Sequence, residues 1–224
     1  MSNVLIVGAT RGIGLEFARQ YAGDGARVYA TYRKADDAAR LRELGARPLP
    51  LEVRDSAAIA GFGRHFDGVQ LDLAIINAGV AGPRTGGIAA VTQADFDTVM
   101  HTNVLATMQL LPLLAPLLVG ACGKLAVISS RMGSSALMSS NSSWLYRASK
   151  AALNSVLKAA SLELGPQGVV CMAFHPGWVR TDMGGARADI DVDASVTGMR
   201  RVIDGANASH NGKFLNYTGE QFEW

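Results

Sequence analysis

The chain has 224 residues, 49% hydrophobic and 18% charged, with a formal net charge of +2. That length suits one domain with a full core, and that composition excludes a disordered chain. The charge, with no long basic run, gives no reason to expect a nucleic-acid partner. Only Cys122 and Cys171 are present, both beside or within apolar strand-like runs. They read as reduced core thiols, which implies a cytoplasmic protein and argues against a disulfide scaffold or a metal site.

The first residues enter a strand pattern directly, without the pattern of a secretory leader. Strands are expected at Val4–Val7, Arg27–Thr31, Arg47–Val53, Leu71–Ile76, Lys124–Ser129 and Val169–His175, with a last one at Lys213–Asn216. Helical patterns fall between them near Gly12–Gly23, Lys34–Leu44, Ser56–Phe66, Gln93–Val119 and Ser143–Leu164, with a weaker one at Ala194–Ala206. Nearly continuous apolar strands joined by helical crossovers predict an α/β fold, a doubly wound parallel sheet with helices on both faces. The alternation runs through residues 1–224 without a break, so one domain is expected. The apolar stretch Val104–Val119 is shorter than the roughly 18–20 residues of a membrane span and is interrupted by Gln109, Pro112 and Pro116. No membrane partner is expected.

The first strand runs into Gly8-Ala9-Thr10-Arg11-Gly12-Ile13-Gly14 and then directly into a helix. Glycines there let the backbone turn tightly and approach a pyrophosphate, whose charge suits a helix N-terminus. The end of the second strand discriminates between cofactors. An acid there would bind the ribose 2′-hydroxyl of NAD, whereas an arginine accommodates the 2′-phosphate of NADP. The sequence is Thr31-Tyr32-Arg33-Lys34, with no acid. Arg33, with Arg11 facing it from the glycine turn, therefore points to NADPH over NAD.

Tyr146 and Lys150 stand four apart at the start of a helix, on one face. A phenol titrates near ~10, so a nearby cation is needed if it is to exchange protons at neutral pH. Ser130, at the end of the fifth strand, supplies a hydroxyl for an oxygen whose charge changes as a carbonyl becomes an alcohol. Strand alternation turns the preceding Ser129 to the opposite face. Asn103 lies inside an apolar helix and calls for a hydrogen-bonded partner.

Taken with Asn77-Ala78-Gly79 and Pro176-Gly177, these motifs resemble the short-chain dehydrogenase/reductase family in order and spacing over essentially the whole chain. The wording around Ser130, Tyr146 and His175–Met183 is similar to the branch of C-factor-like and sniffer-like carbonyl reductases. The resemblance implies a single Rossmann domain with strand order 3-2-1-4-5-6-7 and a lid about residues 182–193. It makes Tyr146 the general acid and Lys150 the group that holds the nicotinamide ribose and lowers the Tyr146 pKa. Ser130 polarises the carbonyl, and Asn103 anchors a water relaying protons towards Lys150. Asn77, Ala78 and Gly79 pack under the adenine ribose. Glu52-Val53 stand where the family has Asp-Val against adenine, with Asp55 a substitute for Glu52. Val179 and Thr181, after Pro176 and Gly177, meet the nicotinamide carboxamide.

Two departures stand out: Ile76 replaces a second Asn before Asn77, and Ser130 lies 16 residues before Tyr146, slightly more than is usual. His175 reads as a core or turn residue rather than a base. Trp178 and Met183 suit either pocket walls or lid packing. The function implied is NADPH-dependent reduction of a small aldehyde or ketone, or the reverse oxidation. A non-catalytic nucleotide-binding or signalling protein and an NAD-linked dehydrogenase are the alternatives. Two helices that look apolar nearly all round, Val104–Val119 and Ala148–Leu164, predict a homo-dimer or homo-tetramer.

Overall fold

The computed structural model describes residues 1–224. Strands β1 (Asn3–Val7), β2 (Arg27–Tyr32), β3 (Arg47–Pro50), β4 (Leu73–Ile76), β5 (Lys124–Ile128), β6 (Val170–His175), β7 (Lys213–Asn216) and β8 (Gln221–Phe222) form one sheet. Its order is β3-β2-β1-β4-β5-β6-β7-β8, as expected through β7. Every pairing is parallel except β7 with β8, a short hairpin strand that the sequence pattern does not reveal. The strand at Arg47 ends at Pro50 rather than Val53. A strand carrying Pro48 and Pro50 lacks donors for a ladder, and this one lies at the sheet edge.

The helices are α1 (Gly12–Gly23), α2 (Asp37–Glu43), α3 (Ser56–Ala60), α4 (Gln93–Met100), α5 (Ala106–Val119), α6 (Trp144–Leu164) and α7 (Val192–Asp204). The helix expected through Phe66 stops before Gly61 and continues as a 3-10 turn, Phe62–Phe66. Alternation along β1 divides the core in two. Leu5 and Val7 pack with Leu110 and Leu114 of α5 and Leu153 and Leu157 of α6. Val4 and Ile6 pack with Phe17 of α1, Leu41 of α2 and Met199 of α7. The continuous helix from Gln93 to Val119 is long and apolar enough to cross a membrane by length and composition, contrary to the sequence estimate. Yet Leu110, Leu114 and Leu118 on it are fully buried in the core.

Two expectations about surfaces change. Cys171 is buried, but Cys122 is exposed in the turn before β5, with a left-handed φ of 50°. Helix α6 is amphipathic rather than apolar all round: Leu153, Leu157 and Leu164 face inward while Lys158 and Glu163 are exposed.

Candidate active site

Because the strands are parallel, the segments following β1, β4, β5 and β6 all emerge at one edge of the sheet. Strand order reverses between β1 and β4, the place where open α/β sheets bind ligands.

The turn after β1 is fixed by its neighbours. The Gly8 amide donates to Thr31 Oγ1 at 2.8 Å, and Asn77 Nδ2 donates to the Gly8 carbonyl at 2.7 Å. Gly8 has φ +84°, and a Cβ on it would lie 2.9 Å from the Ala78 backbone. A Cβ on Gly14 would collide with the Gly8 carbonyl. Helix α1 then begins with no side-chain cap and no acid in its first turn. Its first amides have no partners within the helix, which is what an anion at a helix N-terminus requires. Ile13 is half-buried beside them. The residues fit a dinucleotide pyrophosphate.

Of the groups expected around the rest of such a cofactor, Arg33 lies 3.9 Å from Glu52, the arginine exposed and the glutamate half-buried, just beyond β2 and β3. Tyr32 is half-buried and Val53 buried beside them. Arg11 instead pairs with Asp182 at 2.7 Å, beyond β6, so the two arginines do not converge. Asp55 accepts from the Ala57 and Ala58 amides as the N-cap of α3, which commits it to the helix rather than to a ligand. Beyond Pro176 and Gly177, the Val179 amide donates to no backbone group, and the Thr181 hydroxyl donates to the Val179 carbonyl at 3.3 Å. The Thr181 methyl faces Gly12, within 3.2 Å of where a Cβ would stand. The expected lid, 182–193, is held by a bridge between Val179 and Ile190, and its last two residues already belong to α7.

The four expected catalytic side chains come together. Ser130 is buried, with Oγ accepting from the Met132 amide at 3.1 Å; Ser129 turns away and donates to Asn154 at 2.6 Å. Asn103 sits in a π-helical turn, His101–Leu105, between α4 and α5. Its Oδ1 accepts from the Val80 amide at 2.8 Å, and its Nδ2 donates to the Val80 carbonyl and to Ser149 Oγ, both at 2.9 Å. The buried Lys150 Nζ donates to the Ile128 carbonyl at 2.9 Å and lies 5.7 Å from the centre of the Tyr146 ring. A Cβ on Gly79 would be 3.3 Å from Asn103 Oδ1 and 3.5 Å from Lys150 Nζ, so glycine there leaves room for both.

The electrostatics differ from the expectation for Tyr146. Burial pushes its phenol up to about 12, opposed only by the Ser130 hydroxyl, and burial pulls the Lys150 ammonium down to about 8. Lys150 lies over the ring and does not lower the phenol's pKa, which burial sets. At neutral pH the phenol keeps its proton, the state from which it can donate.

Residues 2–191 match the family model for short chain dehydrogenases. The chain belongs to that family. It is 41% identical over 155 residues to the protein called C-signal of Myxococcus xanthus, a match spanning 69% of this chain and 93% of that one. It superposes on the carbonyl reductase Sniffer of D. melanogaster with TM-score 0.93 at 29% identity, covering all of both chains. The NADPH-bound carbonyl reductase from chicken fatty liver gives TM-score 0.92 at 33% identity, covering 100% of this chain and 94% of that one.

Several supporting residues of the site carry little signal in the sequence. Thr31 carries no motif, yet it holds the glycine turn with both its hydroxyl and its carbonyl. Gly133 lets the Ser130 segment pack on α6: a Cβ there would lie 2.7 Å from the Lys150 backbone. Asn154 joins Ser129 to the Gly133 carbonyl, and its place four residues after Lys150 was the available signal.

Proposed function

We propose that the protein transfers hydride between NADPH and a carbonyl or alcohol substrate, running as an aldehyde or ketone reductase. The observation that carries this reading is the convergence of Ser130, Tyr146, Lys150 and Asn103 on the segment Asn77–Gly79, which also holds the turn that opens α1. NADPH, when bound, supplies the hydride. The amides from Gly8 to Gly14 would hold its pyrophosphate, with Thr10 on the same turn. Arg33, and Arg11 once released from Asp182, would meet the 2′-phosphate. Tyr32, Glu52, Val53 and Asn77-Ala78-Gly79 would flank the adenosine, and Pro176, Gly177, the Val179 amide and Thr181 the carboxamide. Tyr146 holds the proton given to the carbonyl oxygen, Ser130 hydrogen-bonds that oxygen, and Lys150 binds the nicotinamide ribose.

This reading treats the whole chain as one nucleotide-binding domain, cytoplasmic, with residues 182–193 as the lid. It also takes the exposed Leu105 of the π-helical turn, Met108 of α5 and Leu162 of α6 as part of a homo-oligomer surface. Gel filtration giving a strict monomer would refute that part.

The reading is tested by titrating purified protein with NADPH and NADH, then following NADPH oxidation with a panel of reactive aldehydes and ketones. NADPH binding tighter than NADH, with turnover, is expected. Tight binding without turnover would favour a second reading, a signalling role, for which the likeness to C-signal speaks. No binding would overturn both.

A further inference from the structure

After β5, residues Ser129–Gly133 form an arch that carries Ser130 and packs on α6. Both ends of this arch rest on one side chain. Ser129 Oγ donates to Asn154 Oδ1 at 2.6 Å, and Asn154 Nδ2 donates to the Gly133 carbonyl at 3.3 Å. We propose that Asn154 is a positioning residue, setting where the Ser130 hydroxyl stands against the Tyr146 phenol and so the rate of the chemical step. The proposal rests on the reductase reading and adds to it a residue that acts on the reaction without touching the reactants.

Placement on the helix carries the inference. Tyr146, Lys150 and Asn154 follow one another at intervals of four on α6, so they lie along one face. The helix that presents the phenol and the ammonium therefore also presents the carboxamide that holds the serine. No other hydrogen bond joins α6 to residues 129–133. The Ser130 hydroxyl in turn faces the Tyr146 phenol closely enough to hydrogen-bond it. An amide suits this place because it accepts with one atom and donates with the other. Ser129 supplies the donor and Gly133 the acceptor. Ser129 and Asn154 are both buried, where a polar group left without its partner is costly.

Between its two ends the arch is stiff. Ser130 Oγ accepts from the Met132 amide at 3.1 Å, and the Gly133 amide donates to the Ser130 carbonyl at 2.8 Å. A shift at Asn154 would thus move Ser130 with the whole arch. The chain on either side is anchored independently. The Ser129 amide donates to the Phe174 carbonyl at 2.8 Å, and Lys150 Nζ donates to the Ile128 carbonyl at 2.9 Å. Downstream, Ser134 Oγ donates to the Glu223 carbonyl at 2.7 Å. Loss of the Asn154 bonds should therefore displace the serine without unravelling β5 or the segment that follows. A displacement of about 1 Å can cost about 100-fold in rate.

Asn154→Ala, made in the wild type and in Ser130→Ala, tests this by single-turnover NADPH oxidation with a reactive aldehyde. The substitution should slow the chemical step by about 10- to 100-fold in the wild type but by no more than about twofold in Ser130→Ala. NADPH affinity should be unchanged in both. A general loss of packing would slow both backgrounds alike. That result, or a loss below about twofold in the wild type, would overturn the proposal. Should Asn154→Ala fail to fold, Ser129→Ala cuts one of the two bonds and is judged by the same comparison. A second readout needs no turnover. Protein labelled with carbon-13 at the tyrosine Cζ gives a Tyr146 signal, identified by its absence in Tyr146→Phe, and this signal should move in Asn154→Ala as it does in Ser130→Ala. If the wild type reduces no carbonyl, the reductase reading falls and this signal alone decides the role of Asn154. An unmoved signal in Asn154→Ala would overturn that role.

Discussion

The glycine turn after β1 and the segment after β6 approach the same space from opposite sides, and they are built by opposite means. The turn is over-determined: buried Thr31 and half-buried Asn77 hold Gly8 by amide and carbonyl, and backbone atoms occupy the space that side chains on Gly8 and Gly14 would need. The segment after β6 buries Val179 and Ala188 and bridges Val179 to Ile190, but its ties across the cleft to Arg11 and Arg84 lie at the surface. Arg11–Asp182 joins side chains that are 65% and 76% exposed, Arg180–Asp191 is also exposed, and Arg84 donates to the Met183 carbonyl at 2.7 Å. Exposed ion pairs contribute about 0–1 kcal/mol each. One wall of the cleft is therefore preformed, and the other is held cheaply enough to open for a ligand.

The largest effect should come from breaking the rigid wall. Gly14→Ala drives a methyl into the Gly8 carbonyl, and it should weaken NADPH binding by about 100-fold or more while circular dichroism shows the sheet intact. Gly133→Ala forces the Ser130 segment off α6. It should cost about 1–3 kcal/mol in urea unfolding and lower kcat in parallel.

A pH dependence marks the border between the walls, at the end of β6. His175 titrates near 6.5 when unfolded and about 4 when folded. Above pH 6.5 both states are neutral and the stability is fully present. As pH falls from 6.5 towards 4 the unfolded chain takes a proton that the folded chain resists, so up to about 3 kcal/mol is lost. His175→Gln should flatten that part of the stability profile.

The smallest effect should come from the lid. Asp182→Ala removes one exposed pair, so it should leave thermal stability within about 0.5 kcal/mol and change NADPH affinity by no more than a few-fold. A loss as large as that of Gly14→Ala would erase the contrast between the two walls.

Sequence legibility follows the same division. The glycine turn, the Tyr146–Lys150 pair and the strand order were readable because each rests on local spacing and period. The partners of Arg11 and Asp55 were not, because an exposed arginine or a spare carboxylate takes whichever neighbour the fold brings near, here Asp182 and the start of α3. The Tyr146 pKa departs from expectation for a related reason. The spacing of Lys150 is visible in the sequence, but the burial that sets the phenol's pKa is a property of the assembled core. Strand β8, two residues long, carries too little pattern to register.

In the proposed reaction Tyr146, protonated at neutral pH, gives its proton to a carbonyl oxygen beside bound NADPH. Single-turnover NADPH oxidation in wild type and Tyr146→Phe, both first shown to bind NADPH equally, tests it most directly. Tyr146→Phe should lose about 10²–10⁴-fold in the rate of the chemical step with cofactor affinity unchanged. A Tyr146→Phe rate within a few-fold of wild type would contradict it.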